Sequence, residues 1–166
     1  MCFTRNSNRT IYTTSDVAAE YSRWIEEKYN PSLFLHLTFP ESTYKKEAEA
    51  KLKQFFNRAA RLKLIKQHIR WFVWGGQQRL REDGSYHFHI VGCLERDEDP
   101  ARIQQILSRL KSLWVSRGGG KLSQADRYFT EFAGITYAAM YHPDFWTYVG
   151  CPARMRQCRT KKCIYL

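Results

Sequence analysis

Two imidazoles separated by one bulky apolar residue, His87-Phe88-His89, sit inside an otherwise apolar run over residues 86–94. In a strand, alternate side chains share a face, so both histidines project one way while Phe88 and Ile90 enter the opposite layer. Two residues of strand separate the imidazoles by about 7 Å along the backbone, within reach of one divalent ion that neutral ring nitrogens can ligate. The same alternation also fits a strand whose histidines merely face solvent, so the rest of the chain has to decide.

Charge narrows the partner. The net charge is +11, from 27 Lys and Arg against 16 Asp and Glu. Residues 45–70 carry Lys45, Lys46, Lys51, Lys53, Arg58, Arg61, Lys63, Lys66 and Arg70, opposed only by Glu47 and Glu49. The tail from Cys151 adds Arg154, Arg156, Arg159, Lys161 and Lys162 with no acid. Such an excess favours a polyanion, and interleaved aromatics favour nucleic acid over an anionic membrane, because unpaired bases stack on rings. A 166-residue chain that is 43% hydrophobic is long and apolar enough for one domain with a real core. No apolar run reaches membrane-spanning length and the first ten residues lack a signal-peptide core, which predicts an intracellular protein with no membrane partner. Five cysteines (2, 93, 151, 158 and 163), an odd number without a C-x-x-C pair, point to a reducing compartment rather than a disulfide scaffold.

The elements that must position the histidines follow from periodicity. Thr14-Ser15-Asp16 predicts the cap of a helix with an apolar stripe of Val17, Tyr21, Trp24 and Ile25, ending near Asn30-Pro31. Residues 32–39 read as a buried strand stopped by Pro40, and residues 41–66 as a long helix with Ala48, Leu52, Phe55, Phe56, Ala59 and Leu62 at helical spacing. A strand is predicted over 69–74, loosened or bulged at Gly75-Gly76, then a hairpin turn at 82–85 and the returning strand 86–94. Asp99-Pro100 opens a helix broken at Gly118-Gly119-Gly120; a strand at 127–132 and a short helix from 134 or 135 to about 141 follow, and the chain after Gly150 reads as irregular. The first helix apart, the order strand–helix–strand–strand–helix–strand predicts an α+β fold of the split βαβ, ferredoxin-like kind. That fold is an antiparallel sheet with helices on one face and the other face free for chemistry.

Three motifs then stand in a telling order: Leu37-Thr38-Phe39 ending an apolar strand, Gly84-Ser85-Tyr86-His87-Phe88-His89-Ile90-Val91-Gly92 after a hairpin, and Ile135-Thr136-Tyr137-Ala138-Ala139-Met140-Tyr141 on a late helix. Over about residues 32–145 the chain resembles the HUH endonucleases, the rolling-circle replication initiators of small plasmids and single-stranded DNA viruses, with transposases and relaxases as relatives. The resemblance implies a nuclease domain over residues 1–150, followed by a basic, cysteine-containing tail over 151–166. It implies nicking and rejoining of single-stranded DNA at an origin stem-loop, with Mn²⁺ or Mg²⁺ on His87 and His89 and a tyrosine joined covalently to the 5′ end. Tyr137 matches the first tyrosine of the family's Y-x-x-K-Y pattern; Tyr141, four residues on and on the same helix face, is the alternative or a second nucleophile. The location implied is the cytoplasm of a prokaryotic host, or the nucleus where the replicon is eukaryotic, with host replication proteins as further partners.

Two departures bear on that expectation. The family's lysine is Met140 here, so its cation must come from elsewhere. The third ligand, usually a glutamate on the strand paired with H-x-H, has no counterpart in Trp74-Gly75-Gly76-Gln77-Gln78-Arg79; Gln78, ahead of Gln77, is the substitute, through a weaker amide oxygen. Lys45, Lys53, Arg58, Arg79, Arg81, Arg154 and Arg156 are the basic residues expected to hold the DNA, with His36 and Thr38 bordering the site. His36-Leu37-Thr38 also has the H-x-T form of two-histidine phosphodiesterases, although His87-Phe88-His89 does not supply their second copy. A non-catalytic single-strand binding module is the rival of another class. Cys151, Cys158, Cys163 and His142 match no common zinc spacing, and residues 118–121 lack a full phosphate-loop motif.

Overall fold

The computed structural model of the chain describes residues 15–65, 67–77 and 85–150, with the side chains of 149 and 150 left aside. Helix α1 (Ser15–Tyr29) is followed by β1 (Leu33–Leu37), α2 (Lys45–Ala59), β2 (Ile69–Gln77), β3 (Tyr86–Leu94), α3 (Pro100–Val115), β4 (Gln124–Arg127), a 3₁₀ turn (Thr130–Phe132), α4 (Gly134–Tyr141) and β5 (Asp144–Gly150). The strands form one five-stranded antiparallel sheet in the order β4-β1-β3-β2-β5. The fold is therefore α+β, with β3 and its two histidines on the central strand. Among the described residues no helix is long and apolar enough to cross a membrane.

Strand alternation divides the core in two. Leu33, Leu35 and Leu37 of β1, Ile69, Trp71 and Val73 of β2, and Phe88 and Ile90 of β3 pack against the apolar faces of α2 and α3. Helix α2 contributes Leu52, Phe55 and Phe56, and α3 contributes Ile106, Leu107, Leu110 and Trp114. The start of α3 forms as the sequence predicts: the Asp99 carboxylate accepts from the Arg102 amide at 2.9 Å, and Pro100 occupies the first turn, where no amide hydrogen is needed. The break after α3 has a structural task, since the Gly120 amide and the Trp114 indole both donate to the Thr38 carbonyl, at 2.8 and 2.9 Å.

Contrary to the expectation of helices on one face, the sheet carries helices on both. Phe72, Trp74, Val91 and Cys93 point to the opposite side and are covered by Ile25 of α1 and Ile135 and Ala138 of α4. These two helices also pack on each other, and they leave the end of the sheet that carries the histidines uncovered by α1. The apolar stripe of α1 is narrower than its spacing predicts. Ala18, Ser22 and Ile25 are buried while Val17 and Trp24 are exposed, because the helix meets only an end of the sheet already filled by aromatics.

Three further boundaries differ from expectation. The glycines Gly75-Gly76 neither loosen nor bulge β2: pairing with β3 runs in unbroken register from Ile69↔Leu94 to Gln77↔Tyr86. They make room instead, because a Cβ at 75 would lie 2.7 Å from the Tyr86 hydroxyl and one at 76 would lie 2.7 Å from His142 Nδ1. Strand β4 comes earlier than 127–132, whose second half is the 3₁₀ turn. Strand β5 is an added edge strand, held at its start by Asp144, which accepts from the Tyr86 hydroxyl and pairs with Lys45.

Candidate metal centre and tyrosine site

The side of the sheet opposite α2 and α3 carries a largely buried imidazole cluster toward one end. His36 of β1 is the direct cross-strand partner of His89 on β3, so the two share a face and stack with ring centroids 4.6 Å apart and planes 8° from parallel. His87 lies 5.3 Å from His89 and 5.4 Å from His36 by the same measure. One ring nitrogen from each of the three falls within 4.8 Å of the other two. A fourth imidazole caps the cluster: His142, directly after α4, has its ring centroid 4.6 Å from His87 and 4.5 Å from His89. His142 reaches this place because Gly76, opposite His87 in the register, has no side chain to exclude it.

Burial holds His36, His89 and His142 neutral. Desolvation lowers the His89 imidazole to about 2, with His142, His36 and His87 adding repulsion to its charged form. The same cause, followed by repulsion from His87 and His36, lowers His142 to about 3, and burial also lowers His36. Neutral imidazoles present lone pairs rather than protons, which is the state a metal ion requires. Nδ1 of His89 and both ring nitrogens of His142 are buried and have no hydrogen-bond partner among the described residues. Buried polar atoms normally have partners, so nitrogens left in this way mark a place where a further polar or cationic group can bind.

Tyr137 stands beside the cluster. Ile135 and Ala138 are fully buried and seat α4 on the sheet, which leaves Tyr137 and Tyr141 projecting from the helix with their rings 4.9 Å apart. The Tyr137 ring lies 5.5 Å from His89 and 6.0 Å from His142, while 52% of its surface remains open to an incoming strand. Tyr141 is equally exposed but one turn farther along, and its ring contact is to Tyr137. A cleft of about 540 Å³ opens next to them, lined by Phe34, His89, Phe129, Phe132 and Tyr137, with Gln124 and Asp126 offering polar edges.

The other residues singled out from the sequence fall in different places. Thr38 does not reach the cluster freely: its hydroxyl lies 3.2 Å from the Ser123 hydroxyl and its amide donates to the same oxygen at 2.9 Å. Lys45, Lys53 and Arg58 ride on α2, behind the sheet as seen from the histidines, and Lys45 is paired with Asp144. Gln77 ends β2 opposite Tyr86 and shares its face, away from the imidazoles. Gln78, Arg79, Arg81, Arg154, Arg156, Cys151, Cys158 and Cys163 lie outside the described residues. In the sequence His142 stands out only beside Cys151, Cys158 and Cys163, whose spacing matches no common zinc module; its place beside Gly76 follows from the turn between α4 and β5, a strand not expected there.

No protein-family model, curated protein or solved structure matches this chain.

Proposed function

We propose that the protein is a metal-dependent single-strand DNA nickase and strand transferase of the HUH type, acting at the start of rolling-circle replication. The observation that carries this reading is the Tyr137 ring 5.5 Å from His89, at the open edge of a cluster of neutral imidazoles. Four of the strands stand in the order β4-β1-β3-β2 with helices between them, which agrees with the split βαβ arrangement expected of that family. The exposed Phe129 and Phe132 beside Tyr137 suit a strand whose bases are unstacked.

His87, His89 and the neighbouring imidazoles would hold the divalent ion, Mn²⁺ or Mg²⁺ by the resemblance; when bound, it polarises the scissile phosphate and offsets charge on its oxygens. The Tyr137 oxygen forms a new bond to phosphorus as the bond from phosphorus to the 3′ oxygen breaks. The phenolic proton passes to solvent, to which the half-exposed ring is open, and the departing 3′ oxygen takes up a proton. The product is a 5′-phosphotyrosyl protein and a free 3′-hydroxyl. Since the phosphoester bond is exchanged rather than hydrolysed, the reverse step rejoins strands without a nucleotide cofactor. Tyr141, whose ring lies 4.9 Å from that of Tyr137, is the residue that would assist or take over in a second transfer.

One feature favours a different chemistry. His36 and His89, side by side on paired strands, could act as a metal-free acid–base pair on a phosphodiester, but the threonine of His36-Leu37-Thr38 has its hydroxyl engaged by Ser123. Incubation with labelled stem-loop DNA and Mn²⁺, resolved on a denaturing gel, separates the readings. Nicking yields a covalent adduct that Tyr137→Phe abolishes; a binding module retards the DNA without cleaving it; a phosphodiesterase cleaves without metal and without an adduct.

A further inference from the structure

We infer that His36 and His142 are metal ligands alongside His87 and His89, and that this all-imidazole site selects a borderline transition ion such as Zn²⁺ or Co²⁺ over Mg²⁺. The inference rests on the functional reading for the presence of a cation, though not for any role of the tyrosine.

Donor chemistry makes the argument. Mg²⁺ binds through carboxylates and retained waters in a strict octahedron of oxygens, whereas imidazole suits the later first-row ions, whose affinities rise from Mn²⁺ through Co²⁺ and Ni²⁺ and remain high at Zn²⁺. Among the described residues no carboxylate joins the cluster: the one group of three or more with ligand atoms within 4.8 Å of one another is His36, His87 and His89, and His142 meets it through ring contact with His87 and His89. The acid closest in sequence to the fourth ring, Asp144, belongs to the other face of the sheet and is engaged by Lys45 and Tyr86. Those same contacts fix the start of β5, and with it the short link through Pro143 to His142. His142 itself is 5% exposed with both ring nitrogens lacking a hydrogen-bond partner among the described residues, and it lies against His87 and His89. Its place immediately after α4 also means that ligation by His142 ties the tyrosine-bearing helix to the sheet.

Calorimetric titration of the metal-free chain with each metal alone tests this. Zn²⁺ and Co²⁺ should bind one per chain, Mn²⁺ more weakly, and millimolar Mg²⁺ should not displace them. Bound Co²⁺ should give the visible absorption of a nitrogen-ligated ion of low coordination number. His36→Ala and His142→Ala should each weaken Zn²⁺ binding by at least about tenfold and alter the Co²⁺ spectrum, with circular dichroism confirming the fold. His68→Ala, just before β2 at the end of the sheet away from the cluster, is the control and should leave the metal isotherm unchanged. His36→Glu, which adds a carboxylate, should raise the affinity for Mn²⁺ and Mg²⁺ relative to Zn²⁺, and it keeps the test alive if the alanine variant misfolds. Equal affinity for Mg²⁺ and Zn²⁺, or binding unchanged in either the His36 or the His142 variant, overturns the inference even if nicking is observed. Tight Zn²⁺ binding lost in those variants, with no DNA adduct under any metal, upholds it and overturns the nickase.

Discussion

The two faces of the sheet are built from the same five strands yet solve different problems. Behind it, β1, β2 and β3 present Leu35, Val73, Phe88 and Ile90 to α2 and α3, and every one of these side chains is fully buried. In front, the alternate residues of the same strands begin as aromatic packing under α1 and α4 and end as imidazoles, of which His89 and His142 carry nitrogens with no hydrogen-bond partner among the described residues. Phe88 and its neighbours His87 and His89 belong to different layers although they are adjacent in sequence. The comparison teaches that the back face supplies the stability that lets the front face hold polar atoms in an otherwise unfavourable place.

The largest expected effect therefore comes from the back. Phe88→Ala should cost about 3–5 kcal/mol of stability in denaturant unfolding, as deletion of a fully buried ring does. His87→Ala, one residue away, should cost far less in the metal-free protein; equal losses would erase the distinction between the faces.

Acid is next. His89 and His142 have folded-state pKa values lowered from 6.5 to about 2 and about 3, so the unfolded chain binds their protons first as pH falls. Their neutral, buried state carries no penalty above pH 6.5, and stability is lost as pH falls from there toward 3, by up to about 1.4 kcal/mol per pH unit for each ring. Thermal melts of chelator-treated protein should show Tm falling steadily below pH 6.5, and less steeply in His142→Gln. A flat profile down to pH 4 would mean that these rings are hydrated and the site is open.

How much of this is legible in the sequence depends on which face is read. Apolar alternation identifies β1 and β3 and the helical spacing identifies the buried faces of α2 and α3, because a back layer of uniform hydrophobicity leaves no competing pattern. Strand parity also places His87 and His89 together, and family resemblance puts Tyr137 near them. The front face is harder. His36, expected from the sequence to border the site, enters the cluster itself through its cross-strand register with His89, and His142 is brought in only by the absence of a Cβ at Gly76. Strand β5 had a local signal in the aromatic and β-branched run Phe145, Trp146, Thr147, Tyr148 after Pro143, but a run without apolar-polar alternation gives no face and so marks no strand by period. The basic spacing on α2 marks an exposed surface correctly and says nothing of which side of the sheet that surface occupies.

Two smaller effects sharpen the contrast. Gly76→Ala should leave the fold nearly intact while displacing His142, whose Nδ1 would otherwise lie 2.7 Å from the new carbon, and so weaken Zn²⁺ binding about tenfold, as His142→Ala does. Gly75→Ala, which meets the Tyr86 and Trp146 rings on the other face, should instead lower Tm without touching the metal isotherm. Smallest of all, Lys53→Ala and Arg58→Ala on the back should change single-strand DNA affinity at physiological salt by no more than about twofold, since neither can contact a strand lying across the imidazoles. A tenfold loss would move the nucleic-acid surface to α2.

Peptide mapping of the covalent product by mass spectrometry tests the central claim most directly. After reaction of the metal-loaded protein with a short single-stranded oligonucleotide and digestion, the account predicts a 5′-phosphorylated nucleotide esterified to Tyr137 in the α4 peptide, absent when metal is removed. A product with both DNA ends free, or a nucleotide attached to a residue away from the imidazole cluster, would contradict it.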